Sequence, residues 1–334
     1  MKAAVFHQLH QPLIVETVGD PRPSQDEVLI RVGRCGICGS DLHMTEEPAF
    51  GIAPGAVLGH EFAGEIVELG KEVSGLKKGD RVAVSPLRGC GHCATCLAGE
   101  PAWCEKMMLQ GGGYAELALA TTRQCVRLPA STSLEDGALV EPLAVALHGV
   151  ALSELKPGAR VLVMGAGPIG LGVAFWARRR GAAKVAMLDL NTLQSDLAHH
   201  MGVTSFVTVD AEAVAKVNAA LGGAPDIVFE CVGKPGIVSQ AIAHLRPRGT
   251  IVMLGLCTAQ DSFVPFAAVS KEARLITSAF FNLGEYRAAL DALDGGQALP
   301  HAMISDTVAL GAVPQAFQAL KHRTTQCKVM VRPQ

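Results

Sequence analysis

Three observations predict an α/β protein, with a doubly wound parallel sheet accompanying a β-rich domain. Between about residues 149 and 280, short β-branched runs alternate with helical segments. Before that, the chain consists of short apolar runs punctuated by Gly, Pro and Asp. The length, 334 residues with 49% hydrophobic, suits about two domains and supplies apolar surface for two cores.

Taken in order, Val28 to Val32, Gly64 to Leu69 and Arg81 to Ser85 read as β-strands, separated by turns such as Lys78-Gly79-Asp80. Arg160 to Met164 opens the alternating region as a compact apolar strand. Pro168 to Arg180 has helical spacing and stops at Gly181. Lys184 to Leu188 is the next strand, and Leu193 to Met201 a helix ending at Gly202. Ser205 to Val209, Asp226 to Cys231 and Thr250 to Leu254 continue the strand series. Beyond residue 283, amphipathic helices near Gly284 to Leu293 and Val313 to Leu320 precede a last strand, Lys328 to Val331. That tail fits as the completion of the first domain, so the expected division is 1–148, 149–283 and 284–334.

Composition excludes several functions. Lys+Arg 29 against Asp+Glu 31 gives a net charge of −2, which argues against a nucleic-acid partner. Aromatics at 4% argue against base-stacking platforms. No stretch approaches ~20 uninterrupted apolar residues, so no membrane span is expected. Met1 to His10 lacks a basic segment followed by an apolar core, so no signal peptide is expected. A reducing cytoplasm is the default, and there the ten cysteines point to metal before disulfides.

The strand Arg160 to Met164 runs into Gly165-Ala166-Gly167-Pro168-Ile169-Gly170 and then a helix, with Asp189 19 residues after Gly170 at the end of the next strand. A G-x-G-x-x-G is weak evidence alone. In this strand–turn–helix context it is a dinucleotide-binding signature. Gly165 permits the tight turn, and Gly167 lets a pyrophosphate approach the helix N-terminus. Gly170 lets helix and strand pack closely, with Pro168 and Ile169 completing the turn. Asp189 can accept from both adenosine ribose hydroxyls and repels a 2′-phosphate. No Lys or Arg follows it immediately, so the expected cofactor is NAD rather than NADP. Val232, just past the strand Asp226 to Cys231, is taken as a further cofactor contact.

Cys90, Cys93, Cys96 and Cys104 form C-x2-C-x2-C-x7-C. Four thiolates on one glycine-containing loop match a closed tetrahedral zinc site of structural type. An iron–sulfur cluster is the rival, disfavoured by the absence of a Cys-Pro ending or a second cluster motif. Elsewhere, Cys38-Gly39-Ser40-Asp41-Leu42-His43, Gly59-His60-Glu61 and Val140-Glu141-Pro142-Leu143 offer the mixed Cys, His and carboxylate ligands of a zinc site with one position open. Each segment by itself is unremarkable, since a lone Cys is more often core and a lone Glu surface.

Together, and in this order, these motifs resemble the zinc-dependent medium-chain alcohol dehydrogenases. The resemblance covers essentially the whole chain. Glu141, in Glu141-Pro142-Leu143-Ala144, is similar to the polyol and threonine dehydrogenase branch. It implies a GroES-like catalytic domain built from both termini, with a Rossmann domain inserted. It implies two zinc ions per subunit, one catalytic and one structural. Cys38, His60 and a carboxylate would hold the catalytic ion, with Glu141 or Glu61 binding directly and the other acting through water or moving in. Asp41 would fix the His60 tautomer. Ser40 would take the alcohol proton and His43 pass it towards solvent through the nicotinamide ribose. The competing roles are a helix N-cap for Ser40 and a surface histidine for His43.

What the resemblance implies is hydride transfer between a secondary alcohol and NAD, giving a ketone. Three departures from relatives bear on substrate. Six residues separate Cys104 from Gly111, a short loop that suggests a wider pocket. Ser278 to Asn282 carries no Arg, and Met44 stands where relatives often place Tyr. An apolar wall would desolvate a polyhydroxyl substrate at a cost. The expectation is therefore a less polar secondary alcohol, cyclic ones included. The alternative is a polyol or sugar-acid dehydrogenase of the sorbitol, idonate or threonine type. A remote alternative is a non-catalytic, zinc- and nucleotide-binding redox sensor. The resemblance suggests a homodimer or homotetramer, with an edge strand near Glu272 to Ala279 as contact. The remaining cysteines, Cys35, Cys125, Cys231, Cys257 and Cys327, read as small buried residues.

Overall fold

The structure is a computed structural model, and it describes residues 1–294, 299–322 and 324–334. The chain divides into two compact units, Met1–Glu141 with Asn282–Gln334, and Pro142–Phe281. No helix among the described residues is long and apolar enough to cross a membrane.

The N-terminal part of the first unit contributes ten strands: β1 (Lys2–Phe6), β2 (Ile14–Thr17), β3 (Glu27–Gly36), β4 (Ala56–Val57), β5 (Glu61–Leu69), β6 (Arg81–Val84), β7 (Leu87–Arg88), β8 (Met108–Leu109), β9 (Leu117–Thr121) and β10 (Cys125–Arg127). Helix α1 (Gly39–Met44) follows β3, and α2 (Ala94–Leu97) sits between β7 and β8. Helix α3 (Leu134–Leu152) carries the chain across the division between the units, with Pro142 inside it. The Val140 to Leu143 segment is thus mid-helix, where Pro142 removes one backbone donor.

The alternating region forms the second unit. Strands β11 (Arg160–Met164), β12 (Lys184–Asp189), β13 (Ser205–Thr208), β14 (Ile227–Glu230), β15 (Thr250–Met253) and β16 (Arg274–Thr277) are interleaved with α4 (Pro168–Arg179), α5 (Ser195–His200), α6 (Ala213–Leu221), α7 (Ile237–His244) and α8 (Pro265–Val269). The sheet order is β13-β12-β11-β14-β15-β16, and every pairing is parallel. The order reverses between β11 and β14, the place where doubly wound sheets generally bind their ligands. Both faces are covered, so β11 reads as a continuous apolar run rather than an alternation. Leu162 and Met164 of β11 join Ala186, Val217, Val228, Ile242 and Ile251 in one core.

The chain then returns to the first unit through α9 (Leu283–Leu293), β17 (Ile304–Ala309), α10 (Val313–Lys321) and β18 (Lys328–Arg332). A reciprocal cap starts α9: Asn282 Oδ1 accepts from Glu285 N–H and Glu285 Oε2 from Asn282 N–H, both at 2.9 Å. Strand β18 pairs antiparallel with β3 and parallel with β17, so the C-terminus completes the large sheet begun near the N-terminus. That sheet runs β10-β6-β5-β3-β18-β17, with β9 also on β3. Its core gathers Ile30, Phe62, Ile66, Tyr114, Phe317 and Val331. Met44 is also packed in this core and is buried, so it forms no exposed apolar wall.

Candidate active site and metal centres

Three neighbouring strand ends build the first centre. Gly36 closes β3 and pairs with Glu61 of β5 on one side and Met330 of β18 on the other. A Cβ on Gly36 would stand 2.1 Å from Glu61 Oε2 and 3.2 Å from Lys328 Cδ, so only glycine leaves room for both side chains. Gly59, at φ +84°, turns the chain into His60, and a Cβ there would strike the Tyr114 ring at 2.7 Å.

Cys38 caps α1 in extended conformation, which places Ser40 in the first helical turn and not at the cap. The donor atoms of Cys38, His60 and Glu61 lie within 4.8 Å of one another. One thiolate, one imidazole and one carboxylate at that separation fit a zinc ion with a coordination position left open. Glu141 lies outside this donor group. It is buried on α3, and burial pushes its carboxyl up to about 7, with His60 opposing that and the Glu61 charge adding to it.

The supporting contacts are specific. His60 Nδ1 hydrogen-bonds Asp41 Oδ1 at 3.1 Å, which leaves Nε2 for a metal. Burial disfavours the charged ring, but the Asp41 carboxylate outweighs it and holds the His60 pKa well above its ordinary value. Burial likewise opposes ionisation of Asp41, yet His60, the Tyr114 hydroxyl and the Cys38 N–H keep its pKa low. Tyr114 donates to Asp41 Oδ2 at 2.6 Å. Lys328 Nζ donates to Glu61 Oε1 and Oε2 at 2.7 and 2.6 Å and to the Ile37 carbonyl at 3.2 Å. Burial alone would depress the Lys328 pKa, but the Glu61 charge raises it above its usual value.

Ser40 Oγ donates to Cys38 Sγ at 3.1 Å and stands 3.5 Å from His60 Nε2. His43 Nδ1 is 2.8 Å from Glu47 Oε1, one helical turn on. Sequence reading missed Tyr114 and Lys328. Lys328 had a signal, a single charge inside the apolar run Cys327 to Val331.

The second centre is the loop between β7 and β8. The Sγ atoms of Cys90, Cys93, Cys96 and Cys104 all lie within 4.8 Å of one another. A tetrahedral zinc–thiolate site needs S···S separations of about 3.8 Å, so the four fit such an ion without large movement. The thiols differ. A bond with the Thr95 hydroxyl at 3.1 Å and the Cys96 N–H bring Cys93 down to about 6. Burial takes Cys96 up to about 12. All ten cysteines are unbridged. Of the five outside these centres, Cys35 and Cys327 are buried as expected. Cys125, Cys231 and Cys257 are only partly so.

The glycine turn of the second unit has its own geometry. Gly165 has φ +99° and Gly167 caps α4 in extended conformation. A Cβ on Gly170 would come 1.9 Å from the Gly165 carbonyl oxygen. Pro168 and Ile169 form the first turn of α4. Asp189 ends β12, where Oδ2 accepts from Ala166 N–H and Oδ1 from Leu190 N–H, both at 2.6 Å. Val232 follows β14, and its Cγ2 would meet a Cβ on Gly165 at 3.0 Å.

Against known families, residues 24–130 match the alcohol dehydrogenase GroES-like domain and residues 168–295 the zinc-binding dehydrogenase model. "Probable D-xylulose reductase A" of Aspergillus clavatus is 35% identical over 309 residues, covering 88% of this chain and 86% of that protein. The crystal structure of 2R,3R-butanediol dehydrogenase from Bacillus subtilis superposes with TM-score 0.88 at 31% identity, covering 100% of this chain and 99% of that one. A Sinorhizobium meliloti 1021 protein crystallised with NADP superposes with TM-score 0.90 at 32% identity, covering 99% of each. The chain is an alcohol dehydrogenase and belongs to the zinc-dependent medium-chain alcohol dehydrogenase family. Within that family it stands with the polyol dehydrogenase branch.

Proposed function

We propose that the enzyme oxidises a secondary alcohol to a ketone with NAD as hydride acceptor, using one catalytic and one structural zinc per subunit. The observation that carries the catalytic reading is the convergence of Cys38, His60 and Glu61 with Asp41 behind the His60 ring. Cys38, His60 and one of Glu61 or Glu141 hold the ion, the other carboxylate remaining in reserve. A zinc ion held there would act as a Lewis acid, bringing the pKa of a bound alcohol towards neutral. Asp41 keeps the His60 proton on Nδ1. Ser40 takes the alcohol proton, and His43 releases it to solvent with Glu47 as its partner. Cys90, Cys93, Cys96 and Cys104 hold the structural ion.

NAD is favoured over NADP by Asp189, whose carboxylate ends β12 with no adjacent cation in Leu190, Asn191 or Thr192. The substrate is a small secondary alcohol, from diols of the butanediol type to polyols related to xylulose. The names of the similar proteins support this range, and burial of Met44 removes one argument for an apolar pocket wall. The functional form is a homodimer or homotetramer. The free edge of β16 supports a contact between copies there.

A screen of NAD and NADP reduction across acyclic, cyclic and polyhydroxyl alcohols tests the reading, alongside zinc per subunit. Two zinc ions, with NAD reduction lost in Cys38→Ala, are expected. One ion, untouched by that change, would instead support a nucleotide-binding sensor.

A further inference from the structure

Glu230 ends β14, the strand beside β11 at the point where the sheet order reverses. It is 3% exposed. Its Oε1 accepts from Val232 N–H at 2.7 Å and Gly233 N–H at 2.8 Å. Its Oε2 faces Gly255, where a Cβ would come within 2.5 Å of that oxygen. The Glu230 carbonyl accepts from Leu254 and Gly255 N–H at 2.8 and 2.9 Å. One residue therefore ties together the two turns that follow β14 and β15.

Among the described residues, no Lys, Arg or His is ion-paired with this carboxylate. Two amide donors hold it, and a neutral Gln oxygen could accept both of those bonds. A buried charge without a cation is costly, so retaining it calls for a charge-dependent role. Its field reaches its neighbours: burial pushes the Cys231 thiol up, and the Glu230 charge pushes it further.

The location identifies what that field acts on. This step rests on the NAD reading above. If Asp189 at the end of β12 takes the adenosine ribose and the Gly165–Gly170 turn takes the pyrophosphate, the remaining half of the dinucleotide extends the other way, over the ends of β14 and β15. The nicotinamide ring there is a pyridinium cation in the oxidised cofactor and neutral in the reduced one. We propose that Glu230 is a buried counter-charge that favours NAD⁺ over NADH in this site. Neighbouring strands are about 4.8 Å apart, so a group over the ends of β14 and β15 would lie within roughly 10 Å of the carboxylate. At an effective dielectric of about 20, a separation of about 10 Å is worth roughly fifteenfold in relative affinity, and salt screening over one Debye length lowers that to about threefold.

The test uses the zinc-loaded full chain and equilibrium titration with NAD⁺ and with NADH. Glu230→Gln should raise the ratio Kd(NAD⁺)/Kd(NADH) roughly three- to fifteenfold. Glu230→Asp keeps the charge, so its ratio should stay within about twofold of wild type even where both affinities fall. Glu212→Gln, the same charge change on an exposed residue beyond β13, should leave the ratio unmoved. A Gln ratio within twofold of wild type overturns the proposal, as does an equal shift in the Asp variant, because a purely structural role moves both nucleotides together. Wild-type protein that bound neither nucleotide would instead overturn the cofactor reading beneath it.

Discussion

Lys328 and Glu61 form a bidentate ion pair at 2.6 and 2.7 Å with both side chains buried, although 267 positions separate them. Removing one partner leaves an uncompensated buried charge. Lys328→Met is expected to destabilise the metal-free protein by about 3–5 kcal/mol in denaturant unfolding. The loss should shrink when zinc is supplied, because the ion offers Glu61 another positive partner. An equal loss with and without zinc would separate the pair from the metal centre.

Asp41 joins His60 to Tyr114, so its two oxygens should be separable by mutation. Asp41→Asn is expected to weaken affinity for the catalytic ion by about 10–100-fold in chelator competition. Tyr114→Phe leaves the His60 bond intact and should cost about 1.5–3 kcal/mol of stability. A Tyr114→Phe variant with lower zinc affinity and unchanged stability would contradict that division.

Glu141 should give the metal-free protein a distinctive pH dependence. Burial raises its pKa from about 4.5 to about 7, so between those values the folded state binds more protons than the unfolded state. Stability from this group therefore falls as pH rises through that window, by about 3 kcal/mol in all. Relative to wild type, Glu141→Gln should gain stability over the same interval. A difference that stays flat from pH 4.5 to 7 would show that Glu141 ionises freely.

Cys93 should be the most reactive thiol of the four-cysteine loop once metal is removed. Its pKa near 6 makes it largely thiolate at pH 7, whereas Cys96 near 12 remains a thiol. Brief iodoacetamide treatment followed by peptide mass spectrometry should find Cys93 alkylated ahead of Cys96. Zinc should protect both. Equal labelling of the two would remove the basis for the distinction.

Asp189→Ser should move cofactor preference towards NADP. The substitution removes the charge that repels a 2′-phosphate, so KM for NADP should fall and KM for NAD rise by roughly tenfold each, about one lost charged hydrogen bond. Steady-state kinetics with both cofactors measures this.

Where a local pattern fixes the outcome, the sequence was legible. The parallel sheet followed from alternating strands and helices. The turn at Gly165, Gly167 and Gly170 followed from steric needs that the residues carry themselves: a Cβ on Gly170 would stand only 1.9 Å from the Gly165 carbonyl oxygen. The four-cysteine loop was legible because its ligands fall within fifteen residues. The carboxylate question was not, because Glu61 and Glu141 have equal chemistry and are distinguished only by distance. The donor group includes Glu61 and leaves Glu141 outside. Met44 was ambiguous for a related reason: an apolar residue beside His43 suits a pocket wall or a core equally, and the structure packs it in the core.

Taken by itself, the sequence determined which chemical groups the protein owns and their order along the chain: a thiol and an imidazole for one candidate metal centre, four thiols for another, and a glycine turn with its acid. Tertiary structure decided which buried charges meet. Lys328 reaches Glu61 only because β18 returns from the C-terminus to pair with β3, and Tyr114 reaches Asp41 only because Gly59 leaves space for its ring. Local propensity acts over a few residues, whereas a buried charge must be balanced by whatever the fold brings within hydrogen-bond reach.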